Sequence, residues 1–360
     1  MPAAPHATDS DETGRRRPPG VLPRPVVALA AVALAGATGV AMWLLPGPPA
    51  LGGDAASGSA ADEPLLTSAA ERIGVADRRL VAAAPLAGPD RFTAFVDATA
   101  RPRFDLVAAH RRTGTRWFTL GHVTAGPGDC TPRWGGAAGR TVGRSDPMTR
   151  RVSALHAAGG GVTVAFGGPA GPSLAAVCPD ARRLLAAYRH VVDAFGLSRL
   201  AFEFSGPLDP TATARHAKAL RVLIRKTERR GGQLRIDYTF PAGYTGLSAE
   251  RLEQLRAAHR YGVPIDTVGL LVPLRRAETS RPVHLLSQSA RAARDQIATV
   301  LDVPRKEAMR RIALIPVLSS PADLDTAEAR ALRSFAVRHH LARLSLRGAQ
   351  PRASVRRVLS

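Results

Sequence analysis

The 360-residue sequence is poor in aromatic residues and in cysteine, and it has far fewer acidic than basic side chains. Aromatic residues make up 5% of the chain, and no segment sets them densely among basic residues. Proteins that bind nucleic acid through stacked bases and a basic patch need that combination. Nucleic acid is therefore not an expected partner of this chain.

The histidines, serines and glycines form none of the common motifs of metal, nucleophile or nucleotide sites. No His-x-x-x-His pair stands beside a carboxylate at zinc-like spacing, and no serine lies in a Gly-x-Ser-x-Gly turn. The glycine-rich run Phe166–Gly171 is not followed by Lys-Ser or Lys-Thr, which excludes a P-loop. The sequence predicts no metal and no cofactor, and these glycines are interpreted as part of a tight turn.

Basic residues are abundant. The chain has 50 Lys and Arg against 29 Asp and Glu, a formal net charge of +21. Such a balance favours association with an anionic lipid surface or an anionic wall polymer. The basic residues are scattered along the whole sequence, however, so arginine-rich helix faces in contact with solvent explain the same charge. The sequence leaves these alternatives open.

The N-terminal quarter differs in composition from the rest. Residues 1–24 are polar and basic, and the segment Val26–Leu45 then runs without a charge. An apolar stretch of about 20 residues is long enough to cross a bilayer, and basic residues before it place the N terminus in the cytoplasm. Residues 25–46 are predicted as a transmembrane anchor, with a cleaved signal segment as the alternative. Residues 47–88, rich in Ala, Gly, Pro and Ser, are predicted as a flexible linker.

The two cysteines, Cys130 and Cys178, then belong to a domain outside the membrane, at the cell envelope. An exported domain favours a disulfide between such a pair. No further metal ligands of the right kind cluster near them in the sequence. We therefore predict that the pair forms a disulfide.

Residues 89–360 alternate between short β-rich runs and segments of helical period. The predicted strands are Phe92–Val96, Trp117–Thr124, Gly161–Phe166, Leu197–Phe204, Leu234–Phe240, Thr267–Val272, Ile312–Leu318 and Leu341–Leu346. The predicted helices are Phe104–Arg112, Met148–Ala158, Ala181–Phe195, Pro210–Arg230, Ala249–Tyr261, Val283–Leu301 and Thr326–His340. This alternation predicts an α/β fold with a parallel sheet, here a (β/α)₈ TIM barrel. A doubly wound open sheet is the alternative, although Asp97–Ala100 lacks its glycine loop.

The fourth predicted strand carries an acid near its end, where function sits in such barrels. Alternation places Ala201, Glu203 and Ser205 on one face, and Phe202 and Phe204 on the other. Because helices cover the outside of a barrel strand, the phenylalanines are expected to face them. Glu203 then points inward near the mouth, as a catalytic group or as the partner of an arginine.

The stretch from Phe92 to about Val272 resembles the bacterial chitinase branch of glycoside hydrolase family 18. The segments that carry the resemblance are Phe92–Asp97, Phe118–Gly136 with Cys130–Gly136 in its loop, Ala157–Gly168, Gly196–Leu197, Tyr238–Pro241 and Gly246–Leu247. Cys178 stands where that branch has a second cysteine. The resemblance implies a barrel that acts on polymers containing N-acetylglucosamine.

This sequence departs from the family at the residues that carry the chemistry. The family has Asp-x-Asp-x-Glu on its fourth strand, and the glutamate protonates the leaving oxygen; the corresponding residues here are Ala201, Glu203 and Ser205. A serine hydroxyl is far too weak an acid for that step. Further departures occur on three other strands, at Ala165, Leu271–Arg275 and Leu344–Arg347. The resemblance with its losses predicts a catalytically inactive barrel that binds or scaffolds at cell-envelope glycans.

Two alternatives to an inactive glycan-binding barrel stay open. Glu203, paired with Asp237, could supply acid and base in a rearranged active site, which would make the chain a working hydrolase. The barrel could instead bind a protein and no glycan. Candidate ligand-binding residues are Asp97 at the end of the first strand, the aromatic residues Trp134, Tyr238 and Tyr244, and Arg275. Arg275 and Arg347 would favour an anionic ligand over a neutral sugar.

Overall fold

The computed structural model describes four stretches of the chain: residues 91–136, 139–206, 209–279 and 281–360. Three predicted segments lie outside the described residues: the cytoplasmic tail 1–24, the anchor 25–46 and the linker 47–88. Within those four stretches, no helix is both long and apolar enough to span a bilayer.

One sheet of ten strands forms the centre of the described part of the chain. The strands are β1 (Ala94–Asp97), β2 (Trp117–Ala125), β3 (Pro132–Trp134), β4 (Gly161–Gly167), β5 (Arg199–Glu203), β6 (Arg235–Pro241), β7 (Ile265–Leu274), β8 (Ile312–Leu318), β9 (Arg343–Leu344) and β10 (Arg347–Gly348). They pair in the order β1-β2-β4-β5-β6-β7-β8-β10, with β9 also on β8 and β3 antiparallel on β2. All pairs except β2–β3 are parallel.

Helices connect the parallel strands. They are α1 (Leu106–Thr113), α2 (Pro147–Ala157), α3 (Leu174–Val177), α4 (Ala181–Phe195), α5 (Pro210–Glu228), α6 (Ala249–Arg260), α7 (Pro282–Leu301), α8 (Arg305–Arg310), α9 (Thr326–Arg338) and α10 (Ala353–Leu359), and a 3₁₀ turn spans Arg276–Glu278. Strand–helix–strand crossovers of this kind produce a parallel sheet whose strands all end on the same side.

The sheet closes on itself. Phe92, just before β1, forms a parallel bridge with Leu344 of β9, and the amide of Thr93 donates to the Leu344 carbonyl at 3.0 Å. The first and last strands are thereby joined, and a closed barrel has no open edge. The predicted (β/α)₈ barrel is confirmed in its fold class, and the open doubly wound sheet is excluded.

Aspartate side chains start several of the helices. Asp105, Asp180, Asp209 and Asp325 each accept a hydrogen bond from a backbone N–H in the first turn of the following helix. These amides have no partner inside the helix, so an aspartate there both satisfies them and complements the helix dipole. Since each of these helices follows a strand, the aspartates gather where the strands end.

All eight predicted strands and all seven predicted helices overlap elements of the structure. Short elements were missed: the hairpin strand β3, the two-residue strand β10, and the helices α3, α8 and α10. The outward direction of two side chains is confirmed. The Phe202 ring packs against Tyr188 of α4, and both Phe202 and Phe204 contact His216 of α5.

Candidate functional site

The carboxylate of Glu203 lies inside the barrel at the end where the strands finish, here called the mouth. Glu203 is the last residue of β5 and is paired in register with Gly167 of β4 and Thr239 of β6. Its side chain is 8% exposed. Oε2 lies 3.0 Å from Nε2 of His122, in contact but without the alignment of a hydrogen bond, and 3.8 Å from Nη2 of Arg347.

Arg347, the first residue of β10, lies beside Glu203. Its guanidinium carbon lies 3.6 Å from the centre of the Phe95 ring, an attractive cation–π arrangement. Nη1 approaches Oγ of Ser345 and the Leu346 carbonyl, each at 3.4 Å. Burial lowers the pKa of Arg347 to about 10, which still leaves it protonated at neutral pH. The mouth therefore contains a positive charge on an aromatic face.

Phe95, His122, Glu203 and Arg347 form one group, here called the mouth cluster. The Phe95 and His122 rings lie 5.3 Å apart. Gly121 makes room for the group, because a Cβ there would lie 2.6 Å from the Phe95 ring. Gly168, with φ +70°, makes room in the same way: a Cβ would lie 2.5 Å from the His122 ring. Alanine at either glycine would therefore clash with the cluster.

The charges of the mouth cluster keep Glu203 ionised. Burial acts to raise the pKa of Glu203, but the adjacent His122 ring and the Arg347 guanidinium outweigh it, and the pKa lies below its ordinary value. A general acid in glycoside hydrolysis needs the opposite, a carboxyl whose pKa is raised so that it still carries its proton. Glu203 is thus an ionised carboxylate next to Arg347 and His122.

Ser205 lies just beyond the end of β5 and is exposed. Its carbonyl accepts a hydrogen bond from Nη2 of Arg251 at 3.3 Å, so the backbone here is tied to α6. The residue stands two positions after Glu203, at the rim where an acid would meet a ligand. A hydroxyl at this place cannot supply the proton that a carboxylic acid would.

Asp237 does not pair with Glu203, and the predicted acid–base pair is wrong. Asp237 is in register with Ala201, one inward-facing layer deeper than Glu203. It is 1% exposed, with Nη1 of Arg199 2.6 Å from its Oδ1 and the guanidinium of Arg343 on its other oxygen. Two arginines therefore bind the carboxylate in the layer below the mouth.

Two predicted ligand-binding aromatic residues are also corrected. Trp134 is fully buried, because the loop after β2 folds back as β3 and directs the indole inward, where Nε1 donates to Oδ2 of Asp146 at 2.8 Å. Tyr238 is 1% exposed and packs outside the sheet, with its ring centre 4.9 Å from that of Phe204. Alternation explains the second case, since the neighbouring Asp237 already takes the inward direction. Neither ring is available to stack on a sugar.

The remaining predicted binding residues are at the mouth end and accessible. Tyr244 is 59% exposed in the loop after β6. Asp97 ends β1, and its Oδ1 accepts from the amides of Thr99 and Ala100, each at 2.9 Å. Arg275 follows β7 and lies 2.7 Å from Glu278, so its charge is largely satisfied within the chain. Tyr244 is thus the exposed aromatic candidate among the described residues of the mouth.

The predicted disulfide is confirmed. Cys130, in the loop between β2 and β3, is bonded to Cys178 at the end of α3, and the two Cα atoms are 4.9 Å apart. The bond ties together two loops at the mouth. In the part of the chain described, no group of three or more His, Cys, Asp or Glu side chains is placed to hold a metal ion.

His122 is the residue of the mouth cluster that sequence reasoning missed. The register between β2 and β4 shifts between Gly121 and Val123, so simple alternation does not give the direction of the intervening side chain. Phe95 was assigned to a strand without a role. Glu203 was predicted to point inward, and Arg347 was noted as a departure from the family and as a residue that would favour an anionic ligand.

Comparison with known proteins identifies the same kind of fold. No family model matches the chain. Among curated proteins, it is 30% identical over 183 residues to a probable bifunctional chitinase/lysozyme of Escherichia coli (strain K12), a match that covers 50% of this chain and 20% of that protein. It is 27% identical over 183 residues to endochitinase 11 of Metarhizium anisopliae, covering 50% of this chain and 34% of that protein. The chain thus spans a fifth to a third of these relatives.

Among solved structures, the chain superposes on active domain 2 of a thermostable chitinase from Pyrococcus furiosus with a TM-score of 0.65 and 21% identity. The superposition covers 75% of this chain and 94% of that domain. Those crystals contain catalytic-site mutants complexed with chito-oligosaccharides. The described part of the chain therefore has the fold of a chitinase catalytic domain.

Proposed function

We propose that this chain is a non-hydrolytic member of glycoside hydrolase family 18. Residues 25–46 would anchor it in a membrane with the N terminus in the cytoplasm, and the barrel would lie outside, binding or scaffolding glycans of the cell envelope that contain N-acetylglucosamine. The family assignment is supported by the chitinase fold and by the two chitinase relatives. The absence of hydrolysis is supported by the residues of the mouth.

The observation that carries the proposal is the ion pairing of Glu203 within the mouth cluster. Hydrolysis with retention needs a protonated carboxyl beside the leaving oxygen, and that acid typically contributes about 10²–10⁴-fold in rate. Glu203 is ionised and held between His122 and Arg347, and Ser205 stands where the acid is expected.

The alternative of a rearranged hydrolase requires Asp237 as the second carboxylate beside Glu203, and the contacts of Asp237 argue against that role. Asp237 is bound by Arg199 and Arg343 in the layer below the mouth cluster, so it cannot act with Glu203 on one substrate. The other alternative, a barrel that binds protein and no glycan, is favoured by the burial of Trp134 and Tyr238. A variant of Tyr244 can distinguish glycan binding from protein binding, because this side chain is exposed at the mouth and can stack on a sugar.

Glycan binding is tested by retention of the barrel, residues 89–360, on insoluble chitin. Tyr244→Ala is expected to weaken retention by about 2- to 10-fold, the equivalent of about 0.5–1.5 kcal/mol for one stacked ring. Tyr261→Ala is the matched control, because Tyr261 is an exposed tyrosine at the opposite end of the barrel. Equal retention of both variants and the wild type, or no retention of the wild type, would favour the protein-binding alternative.

A further inference from the structure

The two ends of this barrel differ in charge because the helices all run in the same direction between them. Helices in a (β/α)₈ barrel begin near the mouth and end at the opposite end, and helix dipoles favour acids at the start and cations at the finish. The aspartate caps described above follow this rule at the mouth. The last turns of α1, α5, α6, α8, α9 and α10 carry arginine or lysine. The end opposite the mouth is therefore strongly basic.

The cations of that end form what is here called the basal surface. Its members lie in the last turns of helices or in the connections to the next strand, and the short helix α8 is part of the connection between α7 and β8. They are Arg111, Arg112, Arg116, Arg225, Lys226, Arg229, Arg230, Lys306, Arg310 and Arg338. Within the described residues, none of them has a carboxylate oxygen within 4.0 Å. Their charge is thus available to a partner.

Two exposed apolar side chains stand among these cations. Tyr261, directly after α6, is 36% exposed, and Nζ of Lys218 lies 5.7 Å from its ring centre. Val337, in the last turn of α9 and next to Arg338, is 38% exposed. Tyrosine beside lysine and arginine is the composition that proteins place at the interface between lipid headgroups and water.

The chain also enters the barrel from this end. Arg91, the first described residue, leads into β1, and its carbonyl accepts a hydrogen bond from the amide of Leu344, so Arg91 lies at the start of the strands and away from the mouth. The predicted anchor, residues 25–46, lies upstream of that point.

We propose that the basal surface binds the anionic headgroups of the membrane that holds the chain, and that the mouth faces away from it. The proposal rests on the proposed membrane anchor for the location of the barrel, and on the charge of the basal surface for its orientation. A nearby cleft of about 830 Å³ is lined by Arg235, Arg310 and Arg311 but also by Glu228, Asp266 and Glu307. Because its charges are balanced, the attraction is assigned to the surface as a whole and not to a headgroup pocket.

The test uses the full chain reconstituted into phosphatidylcholine vesicles with and without phosphatidylglycerol. Amide hydrogen exchange is compared between the two. We expect exchange in the segments 229–235 and 303–311 to slow only with phosphatidylglycerol, and high salt to remove the protection. The segments 243–248 and 275–279 at the mouth should exchange equally on both vesicles. Equal exchange everywhere, or slower exchange at the mouth, would overturn the proposal.

Charge variants separate the basal surface from the net charge of the chain. The combined variant Arg229→Gln, Arg230→Gln, Lys306→Gln and Arg310→Gln is expected to lose the protection that depends on phosphatidylglycerol. All four residues are exposed, so the fold should not change.

The matched control removes the same charge at the mouth end, with the substitutions Arg101→Gln, Arg103→Gln, Arg144→Gln and Arg182→Gln. These side chains are also exposed. The control should keep full protection. Loss of protection in both variants would show that only the total charge matters, which contradicts a defined basal surface.

The same vesicles test the predicted anchor independently of the basal surface. A chain that does not stay with phosphatidylcholine vesicles has no anchor; the basal surface then predicts co-sedimentation with phosphatidylglycerol vesicles that salt reverses. A soluble polymer of glycerol phosphate provides the last comparison. If it protects the basal segments and phosphatidylglycerol vesicles do not, the surface recognises a wall polymer, and the lipid proposal is wrong.

Discussion

Replacing Asp237 with asparagine is expected to lower the free energy of unfolding by about 3–5 kcal/mol, the usual effect of removing one partner from a buried ion pair. The carboxylate binds Arg199 and Arg343, which are 6% and 11% exposed. Asparagine has nearly the same shape but no charge. Arg343 would then remain buried without a carboxylate in contact, while Arg199 keeps Asp266 at 2.6 Å.

Urea unfolding of the barrel, residues 89–360, measures this effect. Glu253→Gln is the matched control, because Glu253 also contacts two arginines, Arg256 and Arg260, but on the exposed surface. Surface pairs contribute about 0–1 kcal/mol, so the control should unfold almost as the wild type does. If Asp237→Asn falls within about 1 kcal/mol of the wild type, the buried network does not stabilise the barrel interior as described.

Removing the disulfide is expected to have the second large effect. The bond joins cysteines 48 residues apart, and closing a loop of that length stabilises the native state by about 4 kcal/mol in the chain-entropy model. Alanine at both Cys130 and Cys178 should lower the free energy of unfolding by about this amount. The main cause lies in the unfolded chain, which becomes less restricted when the link is lost.

A reducing agent provides the control for the disulfide prediction. Reductant should bring the wild-type barrel close to the stability of the double alanine variant and leave the variant itself unchanged. An equal effect of reductant on both proteins would mean that the change does not come from this bond. Equal stability of the oxidised wild type and the variant would contradict the prediction.

The order of strands and helices could be predicted from the sequence because it depends on local periodicity. Short β-rich runs alternate with segments of helical period, and the predicted helices begin within two residues of the observed ones. The same alternation correctly separated inward Glu203 from outward Phe202 and Phe204. Closure of the sheet also followed, since eight such units have few other ways to bury both faces.

The contents of the mouth could be predicted only in part, because they depend on long-range contacts. The direction of His122 follows from an irregular register in β2, which leaves no mark in the sequence. Trp134 was expected at the mouth because it follows the second strand, but the β3 hairpin folds it into the core. Asp237 and Tyr238 are neighbours on one strand, so both could not face the interior, and that error was avoidable.

The mouth cluster relates two departures from the chitinase pattern, Ser205 and Arg347, to each other. Position 205 has a hydroxyl in place of a carboxyl group. Arg347 adds a buried positive charge, which is costly without a nearby negative charge. Glu203 supplies that negative charge from 3.8 Å while remaining next to His122. The carboxylate that looks catalytic in the sequence is thus committed to balancing a charge inside the barrel.

Hydrolysis of N-acetylglucosamine oligomers by residues 89–360 tests this account most directly. Product release is measured beside an enzyme-free blank, a Glu203→Gln variant and a Ser205→Glu variant that restores a carboxyl at the acid position. The account predicts that the wild type and Glu203→Gln both release no more product than the blank. Clear turnover by the wild type that Glu203→Gln abolishes would contradict it, and would show that Glu203 is the acid of a working hydrolase.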